Sequence, residues 1–340
     1  MMLKVAVIGV GSMGKNHARV YRDTDDARLV AVADANHATA AAVAERHGIP
    51  AYADYREMLE KEQPDAVTVA VPTALHEAVA TDAMEAGADV LIEKPIAATT
   101  EEGERLVARA ERLGRRLMVG HIVRFNPATQ MLRQKLDDGE LGRIFQIVAR
   151  RVGPFPPRIR DVGVVVDLAP HDLDLMRFLT GEDPVRLFAE VERRIHTRHE
   201  DLLLGTLRFP GGIVGSLEIN WLTPNKVREV LVLGERGMFR IDDLTQDLYF
   251  YENAQAGGDL WSPLSVLRGV SEGQVVRFAV PREEPLKAEI RAFVDAIVED
   301  RPPPVAGEDG VAALRLALAL VESGRSNRLL RWDEDAGRFV

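Results

Sequence analysis

Two hydrophobic periods alternate through the first third of the chain. Short, nearly continuous apolar runs occur at Lys4–Gly9, Arg28–Ala33, Ala66–Val71, Asp89–Glu93 and Arg116–Gly120. Runs of that length and composition predict strands buried on both faces. Between them the apolar positions take helical spacing, at Ser12–Arg22, His37–His47, Tyr55–Glu60, Leu75–Ala86 and Thr100–Leu113. End signals agree with this division. Asn36 and Asp54 are placed to cap helices, Gly48-Ile49-Pro50 and Gly87 to stop them, and Thr99 with Glu102 forms a capping box. Strand and helix in strict alternation predict a doubly wound parallel sheet, the Rossmann arrangement.

After Gly120 the pattern changes. Asn126-Pro127 opens a helix that ends near Gly139. Longer β-branched runs follow, at Arg143–Val152, Val185–Arg194, Leu202–Phe209, Ile213–Leu222, Glu229–Leu233, Met238–Asp242, Asp247–Tyr251 and Val275–Val280. Turns such as Pro210-Gly211-Gly212 between them predict a large, open, mostly antiparallel sheet in an α+β domain. In one strand Ile213, Leu217, Ile219 and Trp221 share a face, while Ser216, Glu218 and Asn220 point the other way. Residues 252–272 read as a long loop. Residues 285–300 and 307–323 close the chain as helices.

At 340 residues the chain suits two domains, here 1–120 and 121–340. It has no cysteine, which excludes disulfides and cysteine-bound zinc and leads to the expectation of a cytoplasmic protein. No secretory signal pattern precedes the first strand, and no apolar run is long enough to span a bilayer. The net charge of −10 argues against nucleic-acid or membrane-surface partners. A small-molecule substrate is the expected partner.

Candidate chemistry begins at Gly9-Val10-Gly11-Ser12-Met13-Gly14, between the first strand and the first helix. Gly9 permits a tight turn, Gly11 lets the backbone approach a pyrophosphate, and Gly14 lets helix and strand pack closely. The helix start offers N–H groups to the phosphates. Asp34 closes the second strand, twenty residues past Gly14, where an acid accepts the ribose hydroxyls. The competing reading is that Asp34 caps a turn. An acid there repels a 2′-phosphate, so the expected cofactor is NAD, with NADP admitted if remote arginines compensate.

Two further segments, Val71-Pro72-Thr73-Ala74-Leu75-His76 and Glu93-Lys94-Pro95, join the glycine loop in a recognisable set. Asp167-Leu168-Ala169-Pro170-His171 adds an Asp-x-x-x-His spacing in the second half. Together these resemble the Gfo/Idh/MocA oxidoreductase family of sugar and inositol dehydrogenases. The resemblance implies that Lys94, Asp167 and His171 line the cleft beside the nicotinamide and carry catalysis. It also implies that Val71, Pro72, Thr73, His76, Glu93, Lys94 and Pro95 lie at the cofactor, and that the bond before Pro95 is cis. The chemistry fits the residue types. Oxidising a secondary alcohol requires a base for the hydroxyl proton, a role suited to histidine, and a cation near the developing alkoxide, suited to lysine. The other readings stand beside these. Lys94 is then a solvated strand end, His171 a surface residue, Asp167 a helix N-cap and His76 a cap. The remaining histidines, His17 among them, carry no pattern beyond surface or packing roles.

The segments Gly120–Pro127, Arg151–Asp161 and Trp221–Glu229 resemble the branch of that family containing UDP-N-acetylglucosamine 3-dehydrogenases. That resemblance implies oxidation at C3 of a UDP-N-acetyl-hexosamine. Arg124, Asn126, Arg151 and Arg158, with Lys94, Asp167 and His171, are the candidate substrate contacts. Arg150 and Arg160 extend a cationic run suited to a diphosphate. The alternative for that run is a solvated or subunit-contacting strand edge. Lys226 and Arg228 are additional candidates. An inositol or free-sugar dehydrogenase is the second reading; a non-catalytic dinucleotide-binding regulator is the third, which retention of Lys94, Asp167 and His171 argues against. No metal is required. A homodimer or homotetramer is expected.

Overall fold

In the computed structural model the described residues are 2–156, 162–195, 198–253 and 272–340. Arg158, Arg160, His196 and most of the expected loop at 252–272 lie outside them. The chain divides into two compact units, one of residues 1–125 with 283–315 and the other of residues 126–282 with 316–340. The units interleave in sequence, unlike the single cut after residue 120 expected from the pattern. The reason is apolar. Ile290, Phe293 and Val294 are buried, and the Cβ-less Gly307 and Gly310 lie close against Leu117 and Val119 of the first unit.

The first unit is built on a six-stranded sheet in the order β3-β2-β1-β4-β5-β6. Its strands are β1 (Leu3–Ile8), β2 (Ala27–Ala33), β3 (Ala51–Tyr52), β4 (Ala66–Val69), β5 (Asp89–Ile92) and β6 (Leu117–Val119). Every pairing is parallel. Five of these strands follow the predicted runs; β3 is two residues long and carries no periodic signal of its own. Helices α1 (Gly14–Arg22), α2 (His37–His47), α3 (Tyr55–Glu62), α4 (His76–Glu85) and α5 (Thr100–Leu113) connect the strands. Asn36 and Asp54 cap α2 and α3, and the Thr99/Glu102 capping box starts α5. The order reverses between β1 and β4, and in such sheets ligands bind at the carboxyl ends of the strands beside that reversal.

The second unit carries a ten-stranded sheet, β14-β13-β12-β11-β7-β10-β9-β8-β15-β16, in which β8 is Arg186–Glu192, β12 Gly237–Asp242, β13 Asp247–Asn253 and β14 Glu272–Arg277. It is antiparallel except where β7 (Ile144–Pro154) runs parallel to β10 (Val214–Asn220). Helix α6 (Pro127–Asp137) precedes the sheet, and α7 (Val164–Thr180) follows β7 and packs on β7, β9 (Leu202–Arg208) and β10. Ile213, Leu217, Ile219 and Trp221 are buried as expected, but Asn220 is buried too. Its Oδ1 accepts from the Leu222 and Thr223 backbone N–H groups and from the Thr223 hydroxyl, and so opens β11 (Leu222–Gly234). Helices α8 (Pro285–Val298) and α9 (Gly307–Ser326) close the chain before the short strands β15 (Leu330–Asp333) and β16 (Arg338–Phe339). Among the described residues no helix is long and apolar enough to cross a membrane.

Candidate active site

The glycine loop is shaped by contacts that admit no side chain. Gly9 has φ +84°, and a Cβ there would stand 2.7 Å from the Ala70 carbonyl carbon. A Cβ on Gly14 would stand 1.8 Å from the Gly9 carbonyl oxygen, so α1 can start against the loop only without one. Gly11 differs, since among the described residues nothing lies within 4 Å of its would-be Cβ. That open face, at the uncapped start of α1 and beside the exposed Ser12 and Met13, fits the approach of a diphosphate. Asp34 is held by the loop it serves: Oδ2 accepts from the Val10 N–H at 3.0 Å and Oδ1 from the Asn36 N–H at 2.9 Å. Each carboxylate oxygen keeps a second acceptor site for a ribose hydroxyl.

A second group surrounds the Glu93-Lys94-Pro95 turn after β5. The Lys94–Pro95 bond is cis, as the resemblance implies. Glu93 accepts from His17 Nε2 at 2.8 Å and from the Lys94 backbone N–H at 3.3 Å. Burial pushes its carboxyl up, but the His17 hydrogen bond and the charges of His17, Lys94 and His76 prevail and hold it below the ordinary range. His17 is completely buried, and its pairing with Glu93, 76 positions away, had no signal in the sequence. His76 is buried. Its Nδ1 lies 2.9 Å from the Pro95 carbonyl oxygen and its Nε2 3.0 Å from that of Val71. It ties the turn bearing Lys94 to the segment after β4. Thr73 stands in a single 3-10 turn before α4, with Pro72 exposed ahead of it.

In the second unit Asp167 and His171 lie four apart on α7, both half-buried and on one side of the helix. Gly163 is the N-cap and Asp167 lies inside the helix, which removes the reading of Asp167 as the cap. Pro170 sits in the helix interior rather than in its first turn.

The described part of the predicted cationic run, Arg150 and Arg151, is not one cluster. Arg150 and Arg151 are neighbours on a strand and so face opposite ways. Arg150 pairs with Glu218 at 2.8 Å. Arg151 is buried and bonds Asp172 at 2.7 and 2.9 Å and Asp243 at 3.1 Å. Burial works against its charge, but the two aspartates raise the guanidinium above its ordinary range. Arg124 is also buried, ion-paired with Asp309 at 3.1 Å. Asn126 caps α6 through Ala128 and donates to the Asp243 carbonyl at 3.1 Å. All three, expected to meet the substrate, hold their own units together, because an arginine or asparagine taken out of water must find partners.

Residues 3–121 match the Gfo/Idh/MocA description "Oxidoreductase family, NAD-binding Rossmann fold", and residues 129–240 match the C-terminal domain of the same family. A UDP-N-acetylglucosamine 3-dehydrogenase of Acidithiobacillus ferrooxidans is 33% identical over 94% of this chain and 96% of its own. The chain belongs to the Gfo/Idh/MocA oxidoreductase family. A solved structure of that same enzyme has a TM-score of 0.84 and covers 96% of this chain and 99% of its own, at 31% identity. Inositol 2-dehydrogenase 2 of Saccharopolyspora erythraea is 36% identical over 64% of this chain and 67% of its own. The protein is accordingly an NAD-binding oxidoreductase of the sugar and polyol dehydrogenase family.

Proposed function

We propose that the protein oxidises a secondary hydroxyl of a sugar, C3 of a UDP-N-acetyl-hexosamine, with NAD as hydride acceptor. The observation carrying the chemistry is the Asp167–His171 pair on one side of α7, in a chain that also keeps Lys94 at its cis-proline turn. In this reading His171 takes the hydroxyl proton, the Lys94 ammonium stabilises the developing alkoxide, and Asp167 orients the imidazole or the sugar. Bound NAD supplies the hydride acceptor. The loop Gly9–Gly14 and Asp34 would hold it, with Val71–Thr73 beside them. Glu93 and His76 then act through the turn, Glu93 on the Lys94 backbone and His76 on the Pro95 carbonyl. The substrate assignment is supported by the end-to-end similarity to the UDP-N-acetylglucosamine 3-dehydrogenase.

An inositol or free-sugar dehydrogenase is the second reading. It is favoured by the 36% identity to an inositol 2-dehydrogenase and by the engagement of Arg124 and Arg151 within the protein. Incubating the protein with NAD or NADP and a panel of UDP-sugars and polyols, while following reduced nicotinamide absorbance, separates the two. Turnover of a UDP-N-acetyl-hexosamine giving a 3-keto product by NMR is expected. Turnover of inositol with no UDP-sugar oxidised would assign the second reading.

A further inference from the structure

Strand β11 leaves its ladder with β7 shortly after it begins. Leu222 is opposite Pro154, yet the next aligned pair is Val227 opposite Val152, so the stretch Thr223–Lys226 bulges from the sheet. The three hydrogen bonds to Asn220 Oδ1 fix where that bulge starts. Bulges re-aim side chains, commonly beside active sites. Here the bulge ends in Lys226, and Arg228 follows two residues on.

Arg228 stands directly across from Arg151 in the β7–β11 register, a like-charge pair that costs stability unless something offsets it. Asp172 and Asp243 hydrogen-bond to Arg151, not to Arg228. Arg228 spends one nitrogen, Nη1, on the carbonyls of Val152 at 2.6 Å and Val227 at 2.7 Å. Among the described residues neither Arg228 nor Lys226 has a carboxylate in ion-pair contact. Both are consequently uncomfortable as cations. Burial, then repulsion from Arg151, pushes Arg228 down to about 10, and partial loss of solvent around the outer Lys226, with the charges of Arg228 and Arg151, lowers that group as well. The carboxylates that reach Arg228 through space are Asp172, Asp243 and Asp167. The last of these places Arg228 within electrostatic range of Asp167, on the side of α7 that also carries His171. Gly153 leaves the strand beside Lys226 bare; a Cβ there would come within 3.7 Å of the Lys226 Cα.

We propose that Lys226 and Arg228 form a subsite for the diphosphate of a nucleoside-diphosphate sugar. The inference rests on the dehydrogenase reading for its purpose, though not for its geometry. An arriving diphosphate supplies the acceptors that the protein withholds from this pair. The Nη2–Nε edge of Arg228 offers a paired donor and Lys226 a mobile point charge. An uncharged polyol has no use for either.

The test is a calorimetric titration of UDP into the full-length protein saturated with NADH, so that the dinucleotide pocket is filled. Lys226→Gln and Arg228→Gln are each expected to weaken UDP binding about ten- to hundredfold. Arg143→Gln, which removes an exposed cation paired with Glu235, serves as the bulk-charge control and should leave UDP affinity unchanged. Lys226 is exposed, so its variant carries the test even where Arg228→Gln melts early. Wild-type affinity for UDP in the Lys226 variant, equal weakening by Arg143→Gln, or no UDP binding to the wild type would overturn the subsite. UDP binding that depends on both residues, with no sugar or polyol reducing NAD, would sink the dehydrogenase reading and leave the subsite standing. Polyol oxidation without UDP binding would do the reverse.

Discussion

Three glycines of one motif do three different things, as the motif predicts, and the structure gives each its physical reason. Gly9 is required by its left-handed φ and its contact with Ala70, Gly14 by the Gly9 carbonyl, and Gly11 by no contact among the described residues. Gly14→Ala should therefore cost folding stability, by roughly 3 kcal/mol or more, read from denaturant unfolding without cofactor. Gly11→Ala should leave that stability near wild type and weaken NADH about tenfold, because only an incoming diphosphate meets the added methyl. Equal stability losses for both would remove the argument that Gly11 serves a ligand. Lys94 gives a second residue-scale expectation. Lys94→Ala should keep NADH affinity and lower kcat by about a hundredfold or more, since a charge aimed at a developing alkoxide acts mainly in the transition state. Normal kcat with lost NADH affinity would reassign it. The candidate acids, bases and glycines were legible as residue types in the sequence. His17 behind Glu93 was not, because a pairing across 76 positions leaves no periodic trace.

At the scale of elements, most starts and stops follow from local chemistry. The caps at Asn36, Asp54 and Thr99 lie where the side chains predict. The misreadings share a cause. Helix α7 begins at Val164 on an uncapped Gly163, with Pro170 inside it, so neither start nor interior advertises a helix. Strand β11 begins at Leu222, well before the expected Glu229, because its bulge disguises the alternation. Helix α8 holds the least expected group, Glu289, which is fully buried with neither carboxyl oxygen hydrogen-bonded among the described residues. Burial, then the charge of Glu93, raises its pKa well above the ordinary carboxylate value. The folded protein thus holds a proton that the unfolded chain has already released between the two values. Stability from that proton is complete below the ordinary value and lost as pH rises through the raised one. Glu289→Gln cannot ionise, so its Tm relative to wild type should climb as pH rises above the ordinary carboxylate value toward the raised one. A constant difference across that range would show that Glu289 does not titrate there.

On the scale of the whole molecule, the interleaving of the two units matters most. The first unit is completed by residues 283–315, which return after the entire second sheet. A fragment ending at residue 125 exposes apolar surface that Phe293, Val294 and Val311 meet in the intact chain, and Arg124 loses Asp309. It is expected to lack a cooperative melt by circular dichroism; a sharp transition would show that the returning helices are dispensable. What the sequence alone determined was the alternation of elements and the glycine loop with Asp34, while the proposed set of Lys94, Asp167 and His171 is what the family resemblance implies. Periodicity and capping are local properties that neighbouring residues dictate. Tertiary structure decided which charges were spent and which remained. Arg124, Arg151, Lys226 and Arg228 are all cations in the sequence, but the first two meet aspartates contributed by distant segments and, among the described residues, the last two do not. Partners in space compensate a charge, and the order of residues along a chain does not reveal them.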